Sequence, residues 1–223
     1  LGADLIATGH YVRKKDLGSQ TYLLKAIDTD KDQSYFLSQV GESCLKKSMF
    51  PVGELNKSEV RGIAKNLNLS TFDKKDSTGI CFIGERKFKD FLSQYVPAKV
   101  CNIETQDGKI LGEHSGVAFY TIGQRQGLGI GGVKDREDQP WYVTNKNIQK
   151  NILIVSQGKE HLDLYSTSLI ASQIFWINDQ VPNLPLRCSA KIRYRQTDQV
   201  CLVTNLQNGL LQVVFDEPQR AVT

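Results

Sequence analysis

Chemistry in this chain of 223 residues concentrates at one sulfur. Cys81 lies in the run Asp76-Ser77-Thr78-Gly79-Ile80-Cys81-Phe82-Ile83-Gly84, after a polar turn and just before a glycine. Lys74, Lys75 and Arg86 are close by in sequence. Only a thiolate attacks an electrophile or carries sulfur, and nearby cations favour the thiolate. Cysteine is also among the most buried residue types, so a thiol in an apolar run can equally be packing. The local residues leave both readings open. Cys44, Cys101, Cys188 and Cys201 have weaker settings, and the last two fall in apolar strand patterns that read as core. Five widely spaced thiols without a C-x-x-C pair argue against a disulfide scaffold or a structural zinc site. They fit a reducing cytoplasm.

Four polar constellations accompany that sulfur. Thr8-Gly9-His10 follows a short apolar strand, Leu5–Thr8, at the strand end where open α/β sheets bind ligands. Gly9 would let a nucleotide approach the backbone, and His10 could donate to a phosphate or a base, or simply be a satisfied loop histidine. Lys31-Asp32-Gln33-Ser34 joins a second strand to a helix expected over Gln33–Lys47. Asp32 or Ser34 suits a helix cap, while Lys31 and Gln33 suit a polar ligand. Further on, Arg187, Ser189, Lys191, Arg193 and Arg195 alternate with Leu186, Cys188, Ala190, Ile192 and Tyr194. Read as one strand, period two puts four cations on one face about 7 Å apart, close to phosphate spacing. A solvated face is the plainer alternative, but cations so crowded favour an anionic partner such as nucleic acid. Lastly, Gly127–Gly132 matches G-x-G-x-x-G, but the following Val133–Pro140 has no helical periodicity, so a dinucleotide site is rejected in favour of a turn.

The elements that must position these residues change character along the chain. Strand and helix patterns alternate up to about residue 98, which predicts an α/β unit. Tyr22–Ile27 reads as a strand. Asn56 and Glu59 form a capping pair before the stripe Val60, Ile63, Ala64, Leu67. Phe88, Phe91, Leu92 and Tyr95 predict a later helix that Pro97 stops. Beyond residue 98 strands dominate. Asp107-Gly108 and Asn208-Gly209 are hairpin signals, and Val117–Ile122, Trp141–Thr144 and Ile152–Val155 read as strands. The predicted division is an α/β part over 1–92, a central β part over 93–156 and a C-terminal β part over 157–223. Composition is that of an ordinary soluble domain, with net charge +4 and pI near 8.7. No apolar run is long enough to predict a membrane-spanning helix. The chain opens without Met or a signal peptide and reads as starting partway through a longer protein.

Seven segments together resemble the bacterial tRNA-specific 2-thiouridylase (MnmA) family. They are Ala7–Arg13, Lys31–Leu37, Phe50–Gly53, Asp76–Gly84, Tyr120–Gly129, Lys191–Arg195 and Phe215–Val222, in family order across nearly the whole chain. The resemblance implies the C-terminal part of an ATP-pyrophosphatase domain (adenine nucleotide alpha hydrolase-like), then a small central β domain and a C-terminal β-barrel. It implies ATP-dependent adenylation of the C2 oxygen of the tRNA wobble uridine, with Mg2+, followed by sulfur transfer from a cysteine persulfide. Cys81 looks like the persulfide carrier and Gly9 like an ATP contact. His10, Lys31, Asp32, Gln33, Arg193 and Tyr194 look like tRNA contacts, with Arg195 on the same basic stretch. Alternation places Tyr194 opposite the arginines, so a bulge must re-aim it or its role differs. A sulfur-carrier protein or cysteine desulfurase is the implied donor, in the cytoplasm and without a membrane. The family's Ser-Gly-Gly-Val-Asp-Ser-Ser phosphate loop and its first catalytic cysteine are not in these residues. The resemblance therefore implies that this chain alone neither thiolates tRNA nor forms the family's internal disulfide. The alternatives from other classes are a noncatalytic RNA-binding module and an unrelated thiol enzyme.

Overall fold

The computed structural model describes residues 2–74, 91–131 and 139–222. They form two compact units. One comprises Leu1–Asp76, Ile170–Asp198 and Leu202–Gln212, the other Ser77–Leu169, Gln199–Cys201 and Val213–Thr223.

In the first unit β1 (Ile6–Ala7), β2 (Val12–Leu17), β3 (Gln20–Lys25), α1 (Glu42–Lys46), β4 (Ser48–Met49) and α2 (Lys57–Asn66) follow one another. β1 and β4 pair in parallel, with Ile6 opposite Ser48. β2 and β3 form an antiparallel hairpin that sets Val12 against Lys25. Val12 and Leu45 are fully buried. The Glu42 carboxylate accepts the Thr21 N–H at 2.7 Å and pairs with Lys46 at 3.1 Å, tying α1 to the hairpin. Gly53 closes this unit: a Cβ there would run into the Val12 carbonyl oxygen, so only glycine fits.

The single helix expected over Gln33–Lys47 is instead a 3-10 turn, Ser34–Leu37, and the five-residue α1. Gly41 between them is extended, and the Glu42 N–H donates to the Ile177 carbonyl at 2.8 Å instead of to a preceding turn. A tertiary acceptor and a glycine thus outweigh local periodicity. α2 forms as predicted, with the Asn56 N–H donating to the Glu59 carboxylate at 2.7 Å. Its apolar stripe is not covered, however: Ile63 is 48% and Leu67 65% exposed. Of the helix predicted before Pro97, Phe91 and Tyr95 pack their rings 5.2 Å apart, while Phe88 lies outside the described residues.

The second unit holds β5 (Cys101–Thr105), β6 (Ile110–His114), β7 (Trp141–Asn147) and β8 (Ile152–Gln157) in the order β6-β5-β8-β7. β5 and β8 are parallel and the outer pairs antiparallel. The Asp107-Gly108 turn closes β5 onto β6 as expected, with the Thr105 N–H bonded to the Lys109 carbonyl at 2.9 Å. Ile103, Val143, Leu153 and Val155 are fully buried, with Tyr120, Leu128 and Trp141 around them. Leu128 explains part of the glycine run: the chain there turns to insert one apolar side chain into this core. Residues 132–138 lie outside the described residues.

Val117–Ile122 is not the predicted strand. Val117–Phe119 is a 3-10 turn, because side chains take the backbone donors that a ladder would use. The Gly116 N–H donates to His114 Nδ1 at 2.9 Å and the Val117 N–H to Asn151 Oδ1 at 3.2 Å.

β9 (Tyr165–Ala171), β10 (Leu186–Ala190), β11 (Gln199–Asn205) and β12 (Leu211–Arg220) form a sheet in the order β10-β11-β12-β9. The Asn208-Gly209 turn links β11 and β12, with both residues at positive φ and the Leu206 N–H on the Leu210 carbonyl at 2.9 Å. Among the described residues this sheet does not close into a barrel. Cys201 is fully buried, as its pattern predicts, whereas Cys188 is half-buried. The architecture is therefore an α/β part followed by β parts. Of the described helical segments beyond residue 100, each is a three-residue 3-10 turn.

Candidate nucleic-acid interface

Within the first unit the fold gathers three of the predicted constellations onto loops. β1 ends at Ala7, and the Thr8 N–H continues its ladder to the Met49 carbonyl at 3.0 Å. The chain then leaves the sheet. The Thr8 hydroxyl and His10 Nδ1 share a hydrogen bond of 2.9 Å, which orients the imidazole. Gly9 is exposed, and a Cβ there would meet no atom within 4 Å. Packing of the described residues therefore does not require glycine at this strand end, and its bare backbone is open to a ligand.

The Lys31-Asp32-Gln33 loop is held by its own side chains. Asp32 is buried, and its carboxylate accepts the Ala26 N–H at 3.0 Å and the Ser34 hydroxyl at 2.7 Å. Gln33 Oε1 accepts the Tyr11 N–H at 2.9 Å, while the Gln33 N–H donates to the Tyr11 carbonyl at 2.9 Å. The Asp32 carboxylate and the Gln33 side-chain oxygen thus fix the loop, but Asp32 is not the expected helix cap: the 3-10 turn has Gln33 at its N-cap position and no side-chain cap bond. Lys31 is half-buried at the loop's start.

The basic stretch is not one strand. β10 stops at Ala190, and residues 193–196 form a turn. The Gln196 N–H donates to the Arg193 carbonyl at 3.2 Å, and the Gln196 side-chain oxygen accepts the Ile192 N–H at 3.0 Å. Period-two alternation therefore ends before Lys191, and the cations are not ranked along a strand face. Nor does Tyr194 need a bulge to escape that face: the turn carries it. Its ring centroid lies 4.4 Å from that of Phe36 and 6.0 Å from that of Tyr35.

Beside this turn is a cleft of about 450 Å³ lined by Lys25, Asp32, Lys191, Tyr194, Arg195 and Asp198, among others. Asp198 bonds Lys25, and Lys191 Nζ is 3.7 Å from its other oxygen. The Lys25 hydrogen bond above all, with the charges of both lysines, holds the Asp198 carboxyl below its ordinary range against the opposing effect of partial burial. Two of the cleft's acids are thus committed, Asp198 to lysines and Asp32 to the loop. Arg195 is exposed.

Sequence reasoning missed Tyr35, Phe36 and Asp198. The two aromatics were absorbed into an expected helix. Nothing local in the sequence pairs Asp198 with a lysine 173 positions away. Cys81, Lys75 and Arg86 lie outside the described residues. Of the described cysteines Cys44 is exposed, Cys101 and Cys188 are half-buried and Cys201 is buried, and among the described residues no cluster of His, Cys, Asp and Glu could hold a metal ion. No described helix is long and apolar enough to cross a membrane.

Three family models match in succession. Residues 1–85 match the tRNA methyl transferase HUP domain, 89–157 the tRNA methyl transferase PRC-barrel domain and 166–223 the aminomethyltransferase beta-barrel domain. Curated relatives match all 223 residues. One from Pseudomonas paraeruginosa (strain DSM 24068 / PA7) is 58% identical and one from Stutzerimonas stutzeri (strain A1501) 57% identical. One from Pseudomonas aeruginosa (strain UCBPP-PA14) is 58% identical. Each bears the name tRNA-specific 2-thiouridylase MnmA, and the chain spans 59% of the length of each.

Proposed function

The chain belongs to the tRNA-specific 2-thiouridylase family, and from that premise we propose that it serves ATP-dependent sulfur transfer to C2 of the wobble uridine (U34) of tRNA. The observation that carries this reading is identity of 57–58% over all 223 residues to proteins that bear that name. The family models' descriptions mention methyl transfer instead, but they describe domains, whereas the relatives match the chain end to end.

In the proposed reaction the uracil C2 oxygen displaces pyrophosphate from ATP and becomes part of a good leaving group. The terminal sulfur of a Cys81 persulfide then attacks C2. AMP departs with the oxygen. A second thiol attacks the Cys81 sulfur, breaks the S–S bond and leaves the new sulfur on the base, with a disulfide between the two cysteines. Gly9, at the open end of β1, is proposed to face ATP, with Mg2+ on its phosphates. His10, Lys31, Arg193, Tyr194 and Arg195 are proposed to contact tRNA directly. Asp32 and Gln33 would act mainly by holding Lys31 in place, given the hydrogen bonds they already make. A sulfur-carrier protein or cysteine desulfurase would load Cys81 in the cytoplasm. The proposed division is 1–92 for the nucleotide domain, 93–156 for the central domain and 157–223 for the C-terminal domain.

These 223 residues contain no Ser-Gly-Gly-Val-Asp-Ser-Ser loop. On its own the chain is therefore proposed to bind tRNA without thiolating it, which makes it by itself an RNA-binding module. The test is nucleoside mass spectrometry after incubation with tRNA, ATP and a sulfur donor. The protein at the relatives' full length should make 2-thiouridine, its Cys81→Ser variant should make none and still bind tRNA, and the 223-residue chain should make none. Undiminished product from Cys81→Ser, or product from the chain alone, overturns the reading.

A further inference from the structure

Phe36 is 57% exposed and Tyr35 41% exposed, yet both belong to a cluster whose third ring, Tyr194, comes from a distant turn. The Tyr35 and Phe36 rings meet edge to face at 5.8 Å and 89°. Each is tilted by slightly more than half a right angle against Tyr194, at 46° and 49°. Exposed rings that brace one another have given up much of their rotational freedom while leaving π surface in water. That is unfavourable for the chain alone and favourable for a partner that needs a flat apolar surface.

The setting identifies that partner. Tyr194 lies between Arg193 and Arg195 in one tight turn, and Lys191 lines the adjoining cleft. A protein helix would ask for a groove with aliphatic walls, whereas exposed rings meeting a turn that also carries two arginines match a base joined to a phosphodiester. Three acids also line that cleft: Asp32 is buried in its loop, Asp198 is bonded to Lys25, and Asp30 is exposed, whereas the turn that carries Tyr194 holds two arginines and no acid.

Resting on the reading of this chain as tRNA-binding, we infer that Tyr35, Phe36 and Tyr194 form a stacking platform for an unpaired nucleobase of the RNA. Arg195 steadies the neighbouring phosphate. Lys31 begins the same loop that carries Tyr35 and Phe36, so backbone contact and base contact come from one rigid segment. The platform takes any base, because every base has a π face, and it rejects duplex RNA, whose bases are already stacked.

The experiment titrates the protein into two RNAs, a hairpin with 2-aminopurine in its loop and a blunt duplex of the same composition. Wild-type protein should quench the loop fluorophore. Phe36→Ala should abolish the quench and weaken hairpin binding about tenfold. It should leave duplex binding and the salt dependence as they are. Phe36→Trp should restore the quench. Arg195→Ala should do the reverse, lowering the salt slope by about one and keeping the quench at saturation. Because Phe36 is more than half exposed, its variant should melt as wild type does, which separates lost stacking from lost folding. Hairpin affinity and quench unchanged in Phe36→Ala overturn the platform alone and leave the tRNA reading standing. A change of oligomeric state in that variant, with the quench intact, assigns the rings to a protein contact and also overturns it. No binding of either RNA by wild type overturns both.

Discussion

The central sheet and the α2 stripe follow equally clear sequence patterns and end in opposite situations. In the second unit Ile103, Val143, Leu153 and Val155 lose all contact with solvent. In the first unit α2 repeats Val60, Ile63, Ala64 and Leu67 at faultless helical spacing, and none of its residues is buried. The nearby parallel pair is similar, with Ile6 63% and Met49 45% exposed. Parallel strands are ordinarily covered on both faces. The difference teaches that periodicity specifies which face of an element is apolar and says nothing of what covers it. The four central strands cover one another, whereas no described residue seals α2.

The sharpest way to break that comparison is Leu153→Ala. Removing a fully enclosed side chain should cost about 2–5 kcal/mol, read from urea unfolding by Trp141 fluorescence in a Trp176→Phe background. A cost near zero would mean that the central core is not sealed. A smaller effect should come from acid. His114 is buried at the end of β6, and burial holds its imidazole below the ordinary value of about 6.5 despite the Asn151 carbonyl at 2.9 Å. The unfolded chain then binds the proton more readily than the folded one. The contribution is fully present above about pH 6.5 and is lost as the pH falls through and below that value. The urea midpoint of the second unit should drop on acidification, and His114→Gln should flatten the drop. A midpoint that rises in acid would reverse the sign. The smallest effect should be that of Leu67→Ser on α2, within about 0.5 kcal/mol. A loss matching Leu153→Ala would show that the stripe is covered after all.

What could be read from sequence was what local chemistry dictates. Asn56 with Glu59, Asp107-Gly108 and Asn208-Gly209 each specify a hydrogen bond or a φ sign within a few residues, and each is present. Two of the failures involve partners remote in the chain, and the third is a local turn that the strand pattern masks. Gly41 breaks a helix because Ile177 offers Glu42 an acceptor. Asn151 turns Val117 away from a strand. The basic stretch leaves the sheet at Ala190 because Gln196 folds back on Ile192 and Arg193. For the site, the candidates His10, Lys31 and Arg195 were legible as residue types, and Tyr194 only through the family resemblance. That Asp32 is structural, and that Tyr35 and Phe36 meet Tyr194, depends on contacts no local pattern encodes.

The central claim is that Cys81 carries the transferred sulfur. Peptide mass spectrometry of the protein at the relatives' full length, loaded by a cysteine desulfurase without tRNA and alkylated, tests it directly. The account predicts one additional sulfur on the Cys81 peptide, discharged when tRNA and ATP are added. Additional sulfur on Cys44, Cys101, Cys188 or Cys201 with Cys81 bare would contradict it.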